Sequence, residues 1–212
     1  MEQENQGIQK RKKGIETSGR ILEIAADLFA RKGYDGVPLR EIALAANIRE
    51  SSLYNHFANK QMILLTLFDK FAEMASLSRP SDTELENMLI IMEPEEVFKN
   101  IMFHVGSHIS SILENTFMII QQEKLKSEQA ADAYFRYLVN EPTDYYEHLI
   151  LKMMDRMMIK KVNARMIAGQ YNYVSLSLTQ EYFMAKNGIG DVEKVIKRMI
   201  QTLSFYCSLM KE

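Results

Sequence analysis

Apolar residues recur every three to four positions along most of this chain, the period of helices buried on one side. Ile21, Leu22, Ala25, Leu28 and Phe29 make the first such face. Thr17 or Ser18 can cap its start and Gly33 its end, so a helix is predicted over about 17–32. Tyr34-Asp35-Gly36 reads as a turn. Pro38 suits the first position of a second helix, with Leu39, Ile42, Ala43 and Ala46 on its apolar face. Asn47 tolerates the left-handed backbone of a tight turn, and Ile48 is a lone apolar plug. Another short helix is predicted from about Arg49 to Phe57, burying Leu53 and Phe57. Asn59 then caps a helix through Lys60, Ile63, Leu64, Leu67, Phe68 and Phe71. After Pro80 the pattern predicts helices over 83–92, 94–112, 114–126, 128–138, 141–159, 163–186 and 191–210. Pro94 and Pro142 stand at helix starts among acidic residues, and Asn187-Gly188-Ile189-Gly190 breaks the chain before Asp191 caps the last helix. The expected class is all-α.

Composition supports this class and narrows the function. With 9 Gly and 4 Pro in 212 residues, tight turns are too few for an all-β fold. A single Cys cannot form an intrachain disulfide, which fits a reducing, cytoplasmic setting. The longest apolar runs, Met88 to Met92 and Phe117 to Ile120, are far too short to span a bilayer. No apolar stretch of the signal-peptide kind opens the chain, so no secretory signal is expected, and no membrane partner either.

Net charge is −2, but it is unevenly spread: residues 8–60 carry +4 and residues 61–212 carry −4. That is the distribution of a chain whose first part meets phosphate and whose second does not. Lys10-Arg11-Lys12-Lys13 concentrates the positive charge in a flexible arm over 1–13, which either reaches DNA or only solubilises. All Met except Met1, 8 of 10 Tyr and 8 of 10 Phe lie beyond residue 60. The expected organisation is therefore the arm, a DNA-binding domain over 14–60, a connecting helix over about 59–78, and a C-terminal domain over 79–212.

Two short helices joined by a three-residue turn, the second rich in polar residues, outline a helix-turn-helix. Ala43 and Ala46 are small enough to let the bracing helix approach its partner. The polar face of the second helix would then enter the major groove.

The stretch from Ile21 to Leu64 resembles the TetR family of bacterial transcriptional regulators. The matching residues are Ile21-Leu22, Ala25-Ala26, Leu28-Phe29, Gly33-Tyr34, Arg40-Glu41-Ile42-Ala43, Ala46, Leu53-Tyr54, His56-Phe57, Asn59-Lys60 and Ile63-Leu64. The resemblance covers about a fifth of the chain. It implies an all-helical C-terminal domain, a homodimer, a palindromic double-stranded operator and a small-molecule pocket. Position by position it implies that Tyr54, His56 and Lys60 clamp the DNA backbone and that Arg40 reaches DNA. Arg49, Glu50, Ser51, Ser52 and Asn55 occupy the exposed start and face of the recognition helix. Arg suits guanine edges, Asn adenine, and hydroxyls phosphates or bases. The bland alternatives are that Tyr54 packs on the first helix and that His56 ties helix ends together.

The chain also departs from the family pattern. Val37-Pro38 stands where a hydroxyl residue usually precedes the bracing helix, and Asn47 where Gly is usual. Arg49-Glu50-Ser51-Ser52 replaces a frequent Ser-Lys-Gly-Thr. Glu50 favours the helix start but repels phosphate unless it accepts from a cytosine amino group.

In the C-terminal part, Ile167, Tyr171, Val174, Leu178 and Tyr182 form one apolar stripe, and Val195, Met199, Leu203 and Tyr206 another. By the resemblance these final helices build the dimer interface; each could also bury its stripe in its own core. Met166, Met184, Ile196 and Ile200 lie off the stripes. Phe103, Phe117, Met118, Phe135, Tyr145, His148 and Met154 are the candidates for an effector pocket with apolar walls and polar tips. No acidic or basic residue stands out there as a ligand anchor. His104 and His108 lie one turn apart and with His148 could hold a metal, although ordinary hydrogen bonding of these His is expected instead, and no metal or cofactor. Cys207 has no marked base, and no nucleophile elbow, phosphate-binding Gly loop or zincin pattern occurs, so no enzyme is expected.

The expectation is thus a repressor released from DNA by a small apolar or amphipathic effector. Two rivals remain: a DNA-binding regulator whose C-terminal domain is only a dimer scaffold, and an all-α ligand-binding or enzymatic protein.

Overall fold

The computed structural model of the chain describes residues 2–211, in which eleven α-helices and one π-helical segment occur and no strand. They form two compact units, residues 1–74 with 110–131, and residues 75–109 with 132–212.

In the first unit, α1 (Glu2–Lys32) buries Ile21, Leu22, Ala25, Ala26, Leu28 and Phe29 along one face. It starts far earlier than residue 17. Thr17 and Ser18 are not caps: their hydroxyls donate to the carbonyls of Lys13 and Gly14, one turn back, as Ser and Thr do inside helices. The expected flexible arm over 1–13 is therefore helical from Glu2 onward; Met1 and the side chains of residues 2–8, Lys10 and Arg11 lie outside the described residues. This stretch is rich in Glu, Gln, Lys and Arg, good helix formers, and has no Pro to stop the helix. At its other end Gly33 adopts φ 75°, the left-handed conformation that closes a helix.

The helix-turn-helix is α2 (Leu39–Ala45) and α3 (Glu50–Tyr54). Pro38 is the N-cap of α2 rather than its first residue. Asn47 takes φ 53°, so the chain reverses without Gly, and Ile48 N–H donates to the Ala43 carbonyl at 3.0 Å. Helical bonding continues past α3, with Phe57 N–H on the Leu53 carbonyl at 3.0 Å. Asn59 caps α4 (Lys60–Leu77) through the Met62 N–H at 2.9 Å.

Residues 110–131 were expected in the C-terminal domain, yet α7 (Ser111–Glu123) packs on α1. Its buried Leu113, Phe117 and Ile120 supply an apolar face, and Gln122 donates to the Ala30 carbonyl near the end of α1 at 3.0 Å. The α8 helix (Glu128–Ala133) follows.

The second unit packs α5 (Asp82–Ile91), α6 (Pro94–Ser107), α9 (Glu141–Asp155), α10 (Ala164–Lys186) and α11 (Val192–Met210) around one core. Between α8 and α9 the chain forms a π-helical segment, Tyr134–Asn140. Buried Asn172 donates its amide to the Leu138 and Val139 carbonyls, at 3.0 and 3.1 Å. The Thr143 hydroxyl also donates to Val139, at 2.6 Å. The wider winding frees carbonyls that would be costly to bury unpaired, and these side chains satisfy them. Asp191 caps α11 through the Lys194 N–H, as the sequence predicts.

Candidate nucleic-acid interface

Arg40, in the first turn of α2, and Arg49, the N-cap of α3, are exposed. So are Glu50, Ser51, Tyr54 and Asn55, while Ser52 is half-buried. Among the described residues, the side chains of Arg40, Arg49, Glu50 and Asn55 make no hydrogen bond or ion pair. Two guanidinium groups, a carboxylate, hydroxyls and an amide thus stand together on one short helix-turn-helix with their bonding capacity unspent. The set can meet phosphates through its cations and hydroxyls and base edges through Arg and Asn. Tyr54 is 50% exposed, so its ring does not bury itself on α1.

His56 and Lys60 are tied into the unit instead. His56 Nδ1 lies 2.9 Å from the Ser18 hydroxyl, joining the end of α3 to α1. Lys60 Nζ donates to the carbonyls of Tyr34 and Val37, at 2.9 and 3.2 Å, and sits 4.3 Å from the centre of the Tyr34 ring. An ammonium has three N–H groups, so one remains beyond these two bonds. The Tyr34 turn is held from below as well. Its N–H approaches the Glu123 carboxylate at 3.4 Å, and its ring meets Phe29 edge-on at 5.2 Å. Burial pushes its phenol above the usual range. Buried Glu123 is paired with Lys126 at 3.1 Å. No sequence signal marked Glu123, because the pairing spans nearly ninety positions and joins a loop to a helix end.

The seven candidates for an effector pocket do not converge. Phe103, Phe135 and His148 are exposed. Phe117 is buried in the first unit, where Met118 also lies on α7. Only Tyr145 and Met154 pack against the core of the second unit. Helical period reveals an apolar face but not which unit it packs in. The predicted dimer stripes are corrected likewise: Tyr171, Leu178, Val195, Leu203 and Tyr206 are buried within their own chain. Ile167, Tyr182 and Met199 are half-buried, and of the nine only Val174 is exposed. The apolar side chains left facing outward on α10 and α11 are Met166, Tyr173, Val174, Met184, Phe205 and Leu209. His108 ends α6 with Nδ1 2.7 Å from the His104 carbonyl, His148 is exposed on α9, and no cluster of three or more metal-ligating side chains occurs among the described residues. Burial lifts the Cys207 thiol to about 12, which removes its nucleophilic form. No helix among the described residues is long and apolar enough to cross a membrane.

Comparison with known proteins follows the same outline. Residues 21–67 match the family described as bacterial regulatory proteins, tetR family. The uncharacterized HTH-type transcriptional regulator YvkB of Bacillus subtilis (strain 168) is 25% identical over 180 residues, 82% of this chain and 85% of its own. The biofilm operon icaADBC HTH-type negative transcriptional regulator IcaR of Staphylococcus aureus (strain Newman) is 48% identical over 44 residues, 21% of this chain and 24% of its own. The structure of AibR in complex with isovaleryl coenzyme A and operator DNA shares the fold, with TM-score 0.61, 21% identity, and coverage of 87% of this chain and 96% of that one. With its helix-turn-helix braced by α1 and α4, and a larger helical unit after it, the chain is similar to the TetR family of bacterial transcriptional regulators.

Proposed function

We propose that this regulator is a repressor that binds a palindromic operator as a homodimer and is released by a small apolar or amphipathic effector. The observation that carries the DNA contacts is the unpaired, exposed set on the helix-turn-helix: Arg40, Arg49, Glu50, Ser51, Tyr54 and Asn55. In this reading Arg49 and Asn55 meet base edges, while Arg40, Tyr54 and the remaining N–H of Lys60 meet phosphates. His56 acts from behind, holding α3 on α1 through Ser18. Repression is supported by the likeness of this region to a negative regulator, and release by the fold shared with a regulator solved with an acyl-coenzyme A and operator.

The test is a pair of variants on selected operator and scrambled duplex, titrated at several salt concentrations. Phosphate contacts carry no sequence information, whereas a good base contact discriminates by ~1–3 kcal/mol. Asn55→Ala should weaken operator more than scrambled DNA and relax one or two positions of each half-site. Lys60→Ala should weaken both alike and reduce the salt slope by about one ion. Glu50→Lys should raise affinity for scrambled DNA. If Asn55→Ala left discrimination intact while Lys60→Ala changed it, the placement of α3 in the groove would be wrong.

A further inference from the structure

Among the described residues, the Tyr145 hydroxyl and the Arg79 guanidinium of the second unit have no hydrogen-bond or ion-pair partner, and they are neighbours. The Tyr145 hydroxyl is buried without a hydrogen bond. Arg79, half-buried in the segment between α4 and α5, makes no ion pair or guanidinium hydrogen bond among the described residues. Its guanidinium carbon lies 5.5 Å from the centre of the Tyr145 ring. A buried hydroxyl left unmatched is costly, while half-buried Arg79 keeps its guanidinium within reach of water and of a ligand. Folded chains keep such hydroxyls rarely, and a missing ligand is one physical reason to keep one.

The surroundings say what kind of ligand. Behind Tyr145 stands a run of rings, with Tyr146 at 5.5 Å, Tyr171 at 4.9 Å from Tyr146, and Phe98 and Tyr206 each 5.6 Å from Tyr171. Met88, Met92, Met102 and Met154 pack against the same core, and Met is the side chain that yields most easily to an apolar guest. Burial raises the phenols of Tyr145, Tyr146 and Tyr171, so they stay neutral hydroxyls near neutral pH. At the polar end the unspent groups are mostly donors: five N–H of one guanidinium and one O–H. Their complement is a planar acceptor with two oxygens. The nearby acids do not fill that role. Glu84 accepts from the Ser81 backbone and hydroxyl, at 2.8 and 2.7 Å, and Asp82 is exposed to screening water.

We infer that Arg79 and the Tyr145 hydroxyl form the head-group subsite of the effector, and that this effector is a carboxylate carrying an apolar acyl or aryl body. The inference rests on the reading of the chain as effector-released, and its test separates the two. The carboxylate takes a forked pair of bonds from Arg79 and a third from Tyr145, and the body enters among the Met and Tyr side chains.

Octanoate, octyl phosphate, octanol and octylamine serve as probes, read by calorimetry and thermal shift on the full-length protein without DNA. Octanoate should bind and raise the melting temperature, and octanol and octylamine should not. Arg79→Met should weaken octanoate at least about tenfold, with Arg79→Lys in between because it keeps the charge and loses the fork. Tyr145→Phe is the sharper variant. It should weaken octanoate severalfold yet leave the ligand-free protein as stable or more so, since the hydroxyl removed had no partner. Octanol or octylamine binding as well as octanoate would overturn the inference. So would unchanged octanoate affinity in folded Arg79→Lys and Tyr145→Phe proteins, or no octanoate binding at millimolar concentration. Tighter binding of octyl phosphate than of octanoate would overturn the carboxylate assignment. If octanoate binds through these residues but leaves operator affinity unchanged, the subsite stands and effector-driven release falls.

Discussion

In the proposed function Lys60 serves two roles with one side chain. Two of its N–H groups staple the Tyr34–Val37 turn, and the third is the one proposed to meet phosphate. A turn held this way presents the cation at a fixed place, so little side-chain entropy remains to be lost on binding phosphate. Cys207 shows the opposite use of burial. It is 2% exposed, and its thiol is pushed up to about 12 from 9.0, first by desolvation and then by the Glu95 charge. Because the folded value is raised, the protonated thiol's contribution to stability is complete below 9.0 and is lost as the pH climbs toward about 12. The buried tyrosines add to the same loss at higher pH. Chemical denaturation should therefore show stability falling above pH 9, by up to about 1.4 kcal/mol per pH unit for each such group. At pH 8 a thiol reagent should label folded protein far more slowly than unfolded chain, and labelling at the rate of a free thiol would contradict this placement.

At the scale of elements, the link between α1 and α2 depends on one small residue. A Cβ on Gly36 would lie 2.7 Å from the Lys32 carbonyl oxygen, a backbone atom that cannot rotate away. Gly36→Ala should cost roughly 1–3 kcal/mol and weaken DNA binding, because the turn that carries Tyr34 and Val37 must shift. Gly19, inside α1, has no atom within 4 Å of such a Cβ. Gly19→Ala should instead stabilise by roughly 0.5–1 kcal/mol. Thermal unfolding of the two variants checks the sign of each, and a stabilising Gly36→Ala would refute the close approach. The α7 helix shows a different dependence: it closes the first unit through Gln122 and Glu123 although it follows in sequence two helices of the second.

For the whole molecule, the question is which apolar surface is left for a second copy. Met166, Tyr173 and Met184 recur on one face of α10, and Phe205 and Leu209 lie one turn apart on α11. The Glu181–Arg198 ion pair joins the two helices. Exposed apolar groups in such stripes mark an interface more often than scattered single residues do. Sedimentation at micromolar concentration should give about twice the 24.6 kDa chain mass. Phe205→Glu with Tyr173→Glu should give monomers of unchanged helicity that lose operator affinity, because half-sites are read by a two-fold pair. Leu203→Ala, at a residue 0% exposed in its own chain, should lower stability by about 2–5 kcal/mol. A dimer unaffected by the double variant would move the interface elsewhere.

Local chemistry in the sequence was enough for the helices, the caps at Asn59 and Asp191, the left-handed Gly33 and Asn47, and the helix-turn-helix that carries Arg49 and Asn55. Each depends on side chains within a few positions of one another, so a short stretch of chain contains the whole cause. The start of α1 escaped because Thr17 and Ser18 are equally good as caps and as back-bonded interior residues, and only the helix before them decides which. The dimer stripes and effector candidates escaped for a longer-range reason. An apolar period shows that a face will be buried, but burial of Tyr171 and Leu203 against their own chain, and exposure of Tyr173 and Phe205, depend on which helices pack together. Arg79 and Tyr145 are 66 positions apart, and that a guanidinium and a hydroxyl remain unmatched beside each other is a property of packing, present in neither neighbourhood of the sequence.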